Sequence, residues 1–367
     1  MESLRGYERE DEENSRTFEE FFIMTISVII PVYKVEKYIR RCLQSVIDQE
    51  SEDYQIECLI VDDCSPDDSM SIVNDMIDNY EGTSISFKVI RHEVNRGLSE
   101  ARNSGIREST GDYLFFIDSD DFILEKSFKC FVSYAIRYPY VDMIMGNSMS
   151  IEENYLSNTP INNNDSHICL IEDKKIIMQN VLRRKISRTA WNKFVRRTLV
   201  IDNDLFFDVG LLYEDVTWTY RLFSCVASIL IIPELTYIYE NNPTSIIHTP
   251  NERANKMVWS FVFITDFLIN HPPVIDGHRK LFVEHRLFVY HWMLRTIDLV
   301  EHFGGEQQTC MKLKMIKRKL LWSSVCHVRP FMAILFLTLF KPFCKLVKLN
   351  VFRANVYRLD YFVYKLS

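Results

Sequence analysis

The strongest pattern in the chain is an unbroken aromatic and β-branched run, Tyr113–Ile117, that empties into Asp118, Asp120 and Asp121. A continuous apolar run of this length predicts a strand buried on both faces. Ile26–Ile30 is a shorter run of the same kind, and Pro31, which has no N–H to give a ladder, is expected to stop it. Ile56–Val61 ends in Asp62 and Asp63, and Phe87–Ile90 and Val141–Met145 predict two more strands. Between these runs the apolar period changes. Tyr38, Ile39, Cys42, Leu43, Val46 and Ile47 lie at helical spacing, as do Ile72, Val73, Met76, Ile77 and Tyr80. Ser99 is the predicted N-cap of a helix running to about Glu108. Residues 150–166 are rich in Asn and Ser and predict a loop. Further on, Lys174 to Arg188 is helical in spacing and Glu214-Asp215 opens an amphipathic helix. Ile229–Ile232 and Leu235–Tyr239 predict short strands paired with each other, and from about Arg253 the pattern is helical almost to the end.

Strands alternating with helices predict right-handed β-α-β units and a mostly parallel sheet with helices on its faces. In such α/β sheets ligands bind beyond the carboxyl ends of the strands. The residues expected there are Pro31-Val32-Tyr33, Asp62-Asp63, and Asp118, Asp120 and Asp121. Neighbouring carboxylates repel one another and resist loss of water, so they need solvent or a cation. A turn accounts for one such cluster. Two clusters at one edge of one sheet point to a site.

With 47% apolar and 25% charged residues, the composition is that of a globular protein, and 367 residues allow one large core or two modest ones. Nine cysteines with no C-x-x-C predict reduced thiols in a cytoplasmic compartment and no structural zinc. Residues 1–23 hold eight acids and three arginines, lack the pattern of a signal peptide, and are expected to be a disordered acidic extension. The net charge of −7 hides an asymmetry: residues 311–367 carry twelve Lys and Arg against one acid, Asp360, leaving −18 on the rest. A basic, aromatic tail suits an anionic surface, here the inner face of a cell membrane; no nucleic-acid partner is expected. Within it, Phe331–Phe340 is ten residues of apolar sequence, against about twenty for a bilayer span. A buried core helix and a helix lying flat on anionic lipid both remain open for that segment.

Four segments then combine in order: Ile26–Lys34 (ISVIIPVYK), Val61–Ser65 (VDDCS), Asn95–Gly105 (NRGLSEARNSG) and Gly111–Asp121 (GDYLFFIDSDD). Together they resemble the nucleotide-sugar half of family 2 glycosyltransferases of the GT-A fold. Trp191–Lys193, Glu214-Asp215 and Tyr237–Ser245 resemble the acceptor half. The resemblance implies a Rossmann-like GT-A domain over 24–250, its donor half 24–125 and its acceptor half 126–250, followed by a helical, basic region 251–367. Two motifs of processive synthases are missing, the Q-x-x-R-W sequence and a set of membrane-spanning helices, so transfer of a single sugar is expected.

The same resemblance implies roles. Pro31, Tyr33, Asp62, Asp63, Arg102, Asn103 and Asp118 would serve the nucleotide, with Asp63 favoured over Asp62 for direct contact and Asp62 fixing the loop. Arg102 and Asn103 would support the nucleotide or the Asp cluster; the plain reading is an exposed helix face. Asp120, with Asp121 as the second candidate, would hold Mg²⁺ or Mn²⁺, the cations that oxygen ligands favour. Asp215 would be the base that takes the acceptor's proton, with Glu214 beside it, although acids in a first helical turn also simply complement the dipole. Trp191 would stack on a sugar or fill the core. His248 is left outside the catalytic set. The expected reaction is inverting transfer from a UDP-linked sugar to a glycan or lipid-linked acceptor in cell-surface polysaccharide synthesis. A sugar-nucleotide nucleotidyltransferase would need a Gly-rich basic loop after the first strand, which Pro31-Val32-Tyr33-Lys34 is not. A silent nucleotide- or glycan-binding module is the other alternative.

Overall fold

The computed structural model describes residues 23–150, 156–157, 168–240, 254–273, 279–304 and 307–325. The expectations for the acidic segment 1–22, most of the 150–166 loop, His248, Phe331–Phe340 and the basic tail after 325 lie outside the described residues. The first half runs β1 (Met24–Val32), α1 (Ile39–Ile47), β2 (Tyr54–Asp62), α2 (Ser69–Asp78), β3 (Ile85–Arg91), α3 (Leu98–Glu108) and β4 (Tyr113–Phe116). It continues with β5 (Phe122–Ile123), α4 (Ser127–Arg137), β6 (Met143–Ser150), β7 (Leu156–Ser157), β8 (Cys169–Ile171) and α5 (Lys174–Leu182). Then come β9 (Lys193–Arg196), α6 (Arg197–Asp202), α7 (Glu214–Cys225), β10 (Ile229–Tyr239), α8 (Ala254–Asn270), α9 (Arg279–Phe303) and α10 (Gln307–Val325).

One sheet joins the strands in the order β3-β2-β1-β4-β9-β6-β10-β5, with β7 on β6 and β8 on β10. The long ladders, β3-β2-β1-β4 and β6-β10, are parallel, and the short ones are antiparallel. This is the expected α/β architecture. Period-two alternation divides its core. Leu114 and Phe116 of β4 and Ile29 of β1 face one layer, with α3, α5 and the later helices. Tyr113, Phe115 and Ile117, with Val28 and Ile30, face the other, with α1, α2 and α4. Gly105 lets α3 seat against β1: a Cβ there would lie 2.4 Å from Ile29 Cγ2. The C-terminal helices add to the first layer, since Phe261, Phe288, Leu313 and Ile316 belong to the same core as Phe116 and Trp218.

Two local expectations change. β1 continues through Pro31 to Val32, because beyond Ile29 it pairs with β2 alone, and a missing N–H on the vacated side costs no ladder bond. The two short strands expected at 229–239 are one strand, parallel to β6, with register shifts between Ile231 and Tyr237 that absorb Pro233. Asn147 Nδ2 donates to the Pro233 carbonyl at 2.8 Å within that irregularity. Among the described residues no helix is long and apolar enough to cross a membrane.

Candidate active site

The carboxyl ends of β1, β2 and β4 open into a cleft of ≈ 470 Å³. Pro31, Tyr33, Asp63, Asp118, Asp120 and Glu214 are among its lining residues, so acids distant in sequence do meet at one rim. A wider, more open hollow of ≈ 610 Å³ lies off this rim, between α1 and the 122–125 segment, and holds none of the candidate acids.

The three aspartates after β4 divide by direction. Asp118 and Asp120 are half-buried and line the cleft. Asp121 is fully buried: its Oδ2 accepts from the Tyr237 hydroxyl at 2.6 Å and its Oδ1 from the Glu240 N–H at 2.9 Å. Burial, and then the charges of Asp118 and Asp120, drive its carboxyl well above the usual range. Asp121 is therefore spent on fixing β10 and the 118–121 turn rather than open to a cation, which corrects the second metal candidate. Tyr237 also accepts the Asp118 N–H at 3.2 Å. Trp191, half-buried, stacks on Tyr237 at 4.4 Å, ring to ring and 7° from parallel, and so supports this tyrosine with one face of its ring.

At the end of β2, Asp62 Oδ1 accepts the Ser65 N–H at 2.9 Å, and Asp62 does not line the cleft. It fixes its own loop. Asp63 lines the cleft, yet it is buried and binds protein as well. Its Oδ1 accepts the Arg96 N–H at 2.7 Å and lies 2.7 Å from His92 Nδ1, while its Oδ2 accepts the Gly97 N–H at 2.8 Å. A carboxylate offers about four acceptor positions. Three are used, so Asp63 pins the 92–97 loop and retains about one for a ligand. Gly97 sits at φ +88°, open to glycine at little cost, and immediately precedes α3. Ser99 does not cap that helix as expected; its buried hydroxyl lines the cleft without a hydrogen-bond partner among the described residues.

The most informative side chain is Arg102. Buried on α3, it donates from Nη2 to Asp118 Oδ1 at 2.6 Å and from Nη1 to Glu214 Oε1 at 2.5 Å. The exposed-face reading fails, and Arg102 supports the acid cluster. Burial opposes its charge, but Asp118 and Glu214 outweigh that and raise its pKa further. Asn103 serves neither nucleotide nor acids: its amide donates to the Phe207 carbonyl at 2.9 Å and accepts the Phe207 N–H at 2.7 Å. That corrects its nucleotide role. The bond pair matters all the same, because Phe207 stacks on Trp218 at 4.6 Å and carries the segment that leads into Glu214.

Asp215 opens α7 beside Glu214, after Tyr213 at φ +61°. Burial first, then the charge of Glu214, push its carboxyl up to about 7, while Arg102 and Arg188 pull the other way. Its neighbour Lys193, fully buried on β9, is brought down to about 7 by burial, with Asp215 opposing. Sequence reasoning missed His92 and the cleft-lining Lys256, read Ser99 only as a cap, and gave Lys193 no role beyond its place in the Trp191–Lys193 motif, because single polar residues within apolar or helical patterns carry no signal of what they face.

Among the described residues no group of three or more His, Cys, Asp or Glu forms a ready-made metal cage. The donor set fits a different kind of site. Mg²⁺ is commonly bound by one or two carboxylates plus substrate phosphates, and Asp120 and Asp118 on the cleft wall offer carboxylates of that kind.

The family model described as glycosyl transferase family 2 matches residues 27–210. The chain belongs to glycosyl transferase family 2. The uncharacterized glycosyltransferase EpsJ of Bacillus subtilis is 27% identical over 233 residues, covering 63% of this chain and 65% of its own length. The poly(ribitol-phosphate) beta-N-acetylglucosaminyltransferase TarS of Staphylococcus aureus is 26% identical over 219 residues, 59% of this chain and 35% of TarS. The chain thus spans less than two thirds of the length of these curated relatives. Solved TarS 1–349 in complex with UDP-GlcNAc superposes with a TM-score of 0.59 at 19% identity, over 85% of this chain and 90% of that one. The mannosyltransferase PcManGT of Pyrobaculum calidifontis, in complex with GDP-Man and Mn²⁺, gives 0.52 at 14% identity, with 86% of each chain covered. The fold of this family member is GT-A.

Proposed function

We propose that the protein transfers one sugar from a nucleotide-diphosphate donor, UDP-linked, to a hydroxyl of a glycan or lipid-linked acceptor, with inversion. The observation that carries this reading is the Arg102 bridge, which ties Asp118 on the donor rim to Glu214 on the acceptor rim of one cleft. The donor's nucleotide would lie against Pro31, Tyr33, Asp63 and the start of α3, where the cleft wall is formed. Its diphosphate would approach Asp118 and Asp120, and a Mg²⁺ or Mn²⁺ held there would neutralise the charge on the departing nucleotide diphosphate. Asp215 would take the proton of the attacking hydroxyl. A base with a pKa near the working pH is best matched to that task, and about 7 meets the condition. The hydroxyl oxygen then attacks the anomeric carbon on the face opposite the leaving phosphate, and one such displacement inverts the centre. Solved TarS with UDP-GlcNAc supports a UDP-linked donor, and the name of TarS supports a polysaccharide role.

The test is nucleotide binding by Asp120→Ala. Titration of UDP with and without Mn²⁺ should show that the cation strengthens binding to the wild type about tenfold or more, and that this gain is lost in the variant while its fold is kept. An unchanged Mn²⁺-dependent gain in Asp120→Ala would remove Asp120 as the cation's ligand.

A further inference from the structure

One wall of the cleft has no part in the roles assigned so far. Gly210, Leu211, Leu212 and Lys256 line it beside Glu214, and Lys256 comes from α8, beyond the residues 27–210 that the family model matches. The first turns of α8 are tied to this wall. The buried Ser260 hydroxyl accepts the Leu212 N–H at 2.9 Å and donates to the Lys256 carbonyl, one turn back, at 2.8 Å. Tyr213 donates to Met257 Sδ at 3.9 Å and meets Phe261 edge-on at 5.1 Å. The backbone of Lys256 is thus set by the loop that leads into Glu214 and Asp215. The residue itself is exposed and borders the cleft.

The charges of the cleft are unevenly distributed. Its acids are Asp63, Asp118, Asp120 and Glu214, and its cations, among the described lining residues, are Lys34 and Lys256. Arg102 is already shared between Asp118 and Glu214. Lys34 belongs to the end proposed for the nucleoside: it follows Tyr33, its Nζ stands 5.4 Å from the centre of that ring, and its N–H is given to Ser65 after β2. Lys256 stands by the 210–214 wall instead, and no acid among the described residues pairs with it. A nucleoside diphosphate brings more negative charge than one divalent cation cancels, and here it would enter among four carboxylates. Such charges repel one another unless a further cation joins them. In a sugar donor the β-phosphate is the one bonded to the sugar, so it lies toward the wall that meets the acceptor. A lysine ammonium, a compact charge on a flexible four-carbon stem, suits a phosphate in that place.

We propose that Lys256 binds the β-phosphate of the donor and holds the negative charge that gathers there as the sugar leaves. The proposal rests on the donor reading above and adds to it a catalytic residue supplied by the C-terminal helices. When the bond between the anomeric carbon and the β-phosphate oxygen breaks, its electron pair stays on that oxygen. Lys256 donates a hydrogen bond to this oxygen and keeps its own proton, while the acceptor's proton goes to Asp215.

The experiment titrates the full chain, with Mn²⁺ present, with UDP and with UMP, which lacks the β-phosphate. Lys256→Gln should weaken UDP binding by ~10-fold or more, the loss of one charge-assisted hydrogen bond, and leave UMP at its wild-type affinity. Lys256→Arg should restore most of that loss. All three proteins should share one melting temperature, since the side chain is exposed. Equal UDP affinity in wild type and Lys256→Gln, the same loss for UMP as for UDP, or no recovery in Lys256→Arg would overturn the assignment and leave the donor reading standing. A wild type that binds neither nucleotide would count against the donor reading itself, and the role of Lys256 would fall with it.

Discussion

Asp215→Asn separates what this carboxyl does for chemistry from what its charge does to the fold. Its pKa rises from an ordinary value of about 3.9 to about 7, through burial and then Glu214. A carboxyl whose folded-state value is raised binds its proton more tightly in the folded chain. Its contribution to stability is therefore intact below about 3.9 and is lost as pH rises to about 7. Three pH units at ~1.36 kcal/mol each amount to about 4 kcal/mol at most, and roughly two of those units lie between pH 5 and pH 8. An amide has no such charge. The unfolding free energy of Asp215→Asn relative to wild type should therefore improve by about 2–3 kcal/mol on going from pH 5 to pH 8. Any fixed cost of placing an amide there cancels in that comparison. Urea unfolding at the two pH values measures it. Sugar transfer on the same preparations should fall by about 10²–10⁴ in the variant, the usual worth of a general base. Wild-type transfer should itself fall about tenfold between pH 8 and pH 6, as the base acquires its proton. A stability difference that does not move with pH, or a wild-type rate flat across that range, would refute the reasoning.

Two further outcomes follow from the same cluster. Arg102→Gln leaves buried Glu214 and the quarter-exposed Asp118 without their shared cation, and should destabilise the protein by about 3 kcal/mol, the lower end for breaking a buried ion pair because Asp118 keeps some solvent. Urea unfolding at neutral pH checks it, and a loss under 1 kcal/mol would show that the bridge is not maintained in solution. Tyr237→Phe removes the hydroxyl that donates to Asp121, leaving the Glu240 N–H, and should cost roughly 1–3 kcal/mol, with weaker UDP binding as the 118–121 turn loosens. Melting and UDP titration together test it; full UDP affinity at reduced stability would confine Tyr237 to the fold.

Much of the architecture was legible because it depends on local period. Tyr113–Ile117 could hardly be other than a central strand, and the alternation of runs and stripes along 26–117 led directly to the parallel sheet. Individual side-chain duties were less legible, because direction and distant partners decide them. Asp118, Asp120 and Asp121 are alike as letters, but Asp121 turns inward to Tyr237 and Glu240, more than a hundred residues away. Arg102 and Asn103 are adjacent on α3, yet one reaches Glu214 and the other Phe207. Nothing in a single sequence pairs residues across such gaps. The continuity of β10 was hidden for another reason: Pro233 reads as a break, and only the neighbouring strand shows that a register shift can absorb it.

The grip of Asp63 on residues 92–97 has a consequence for how tightly a nucleotide could be held. Immobilising a loose segment takes roughly 1–2 kcal/mol of backbone entropy per residue. Here the carboxylate has imposed that order during folding, through the Arg96 and Gly97 amides, so the wall stands before any visitor arrives. Contacts made against it can appear almost whole as affinity, instead of being consumed in quieting the chain.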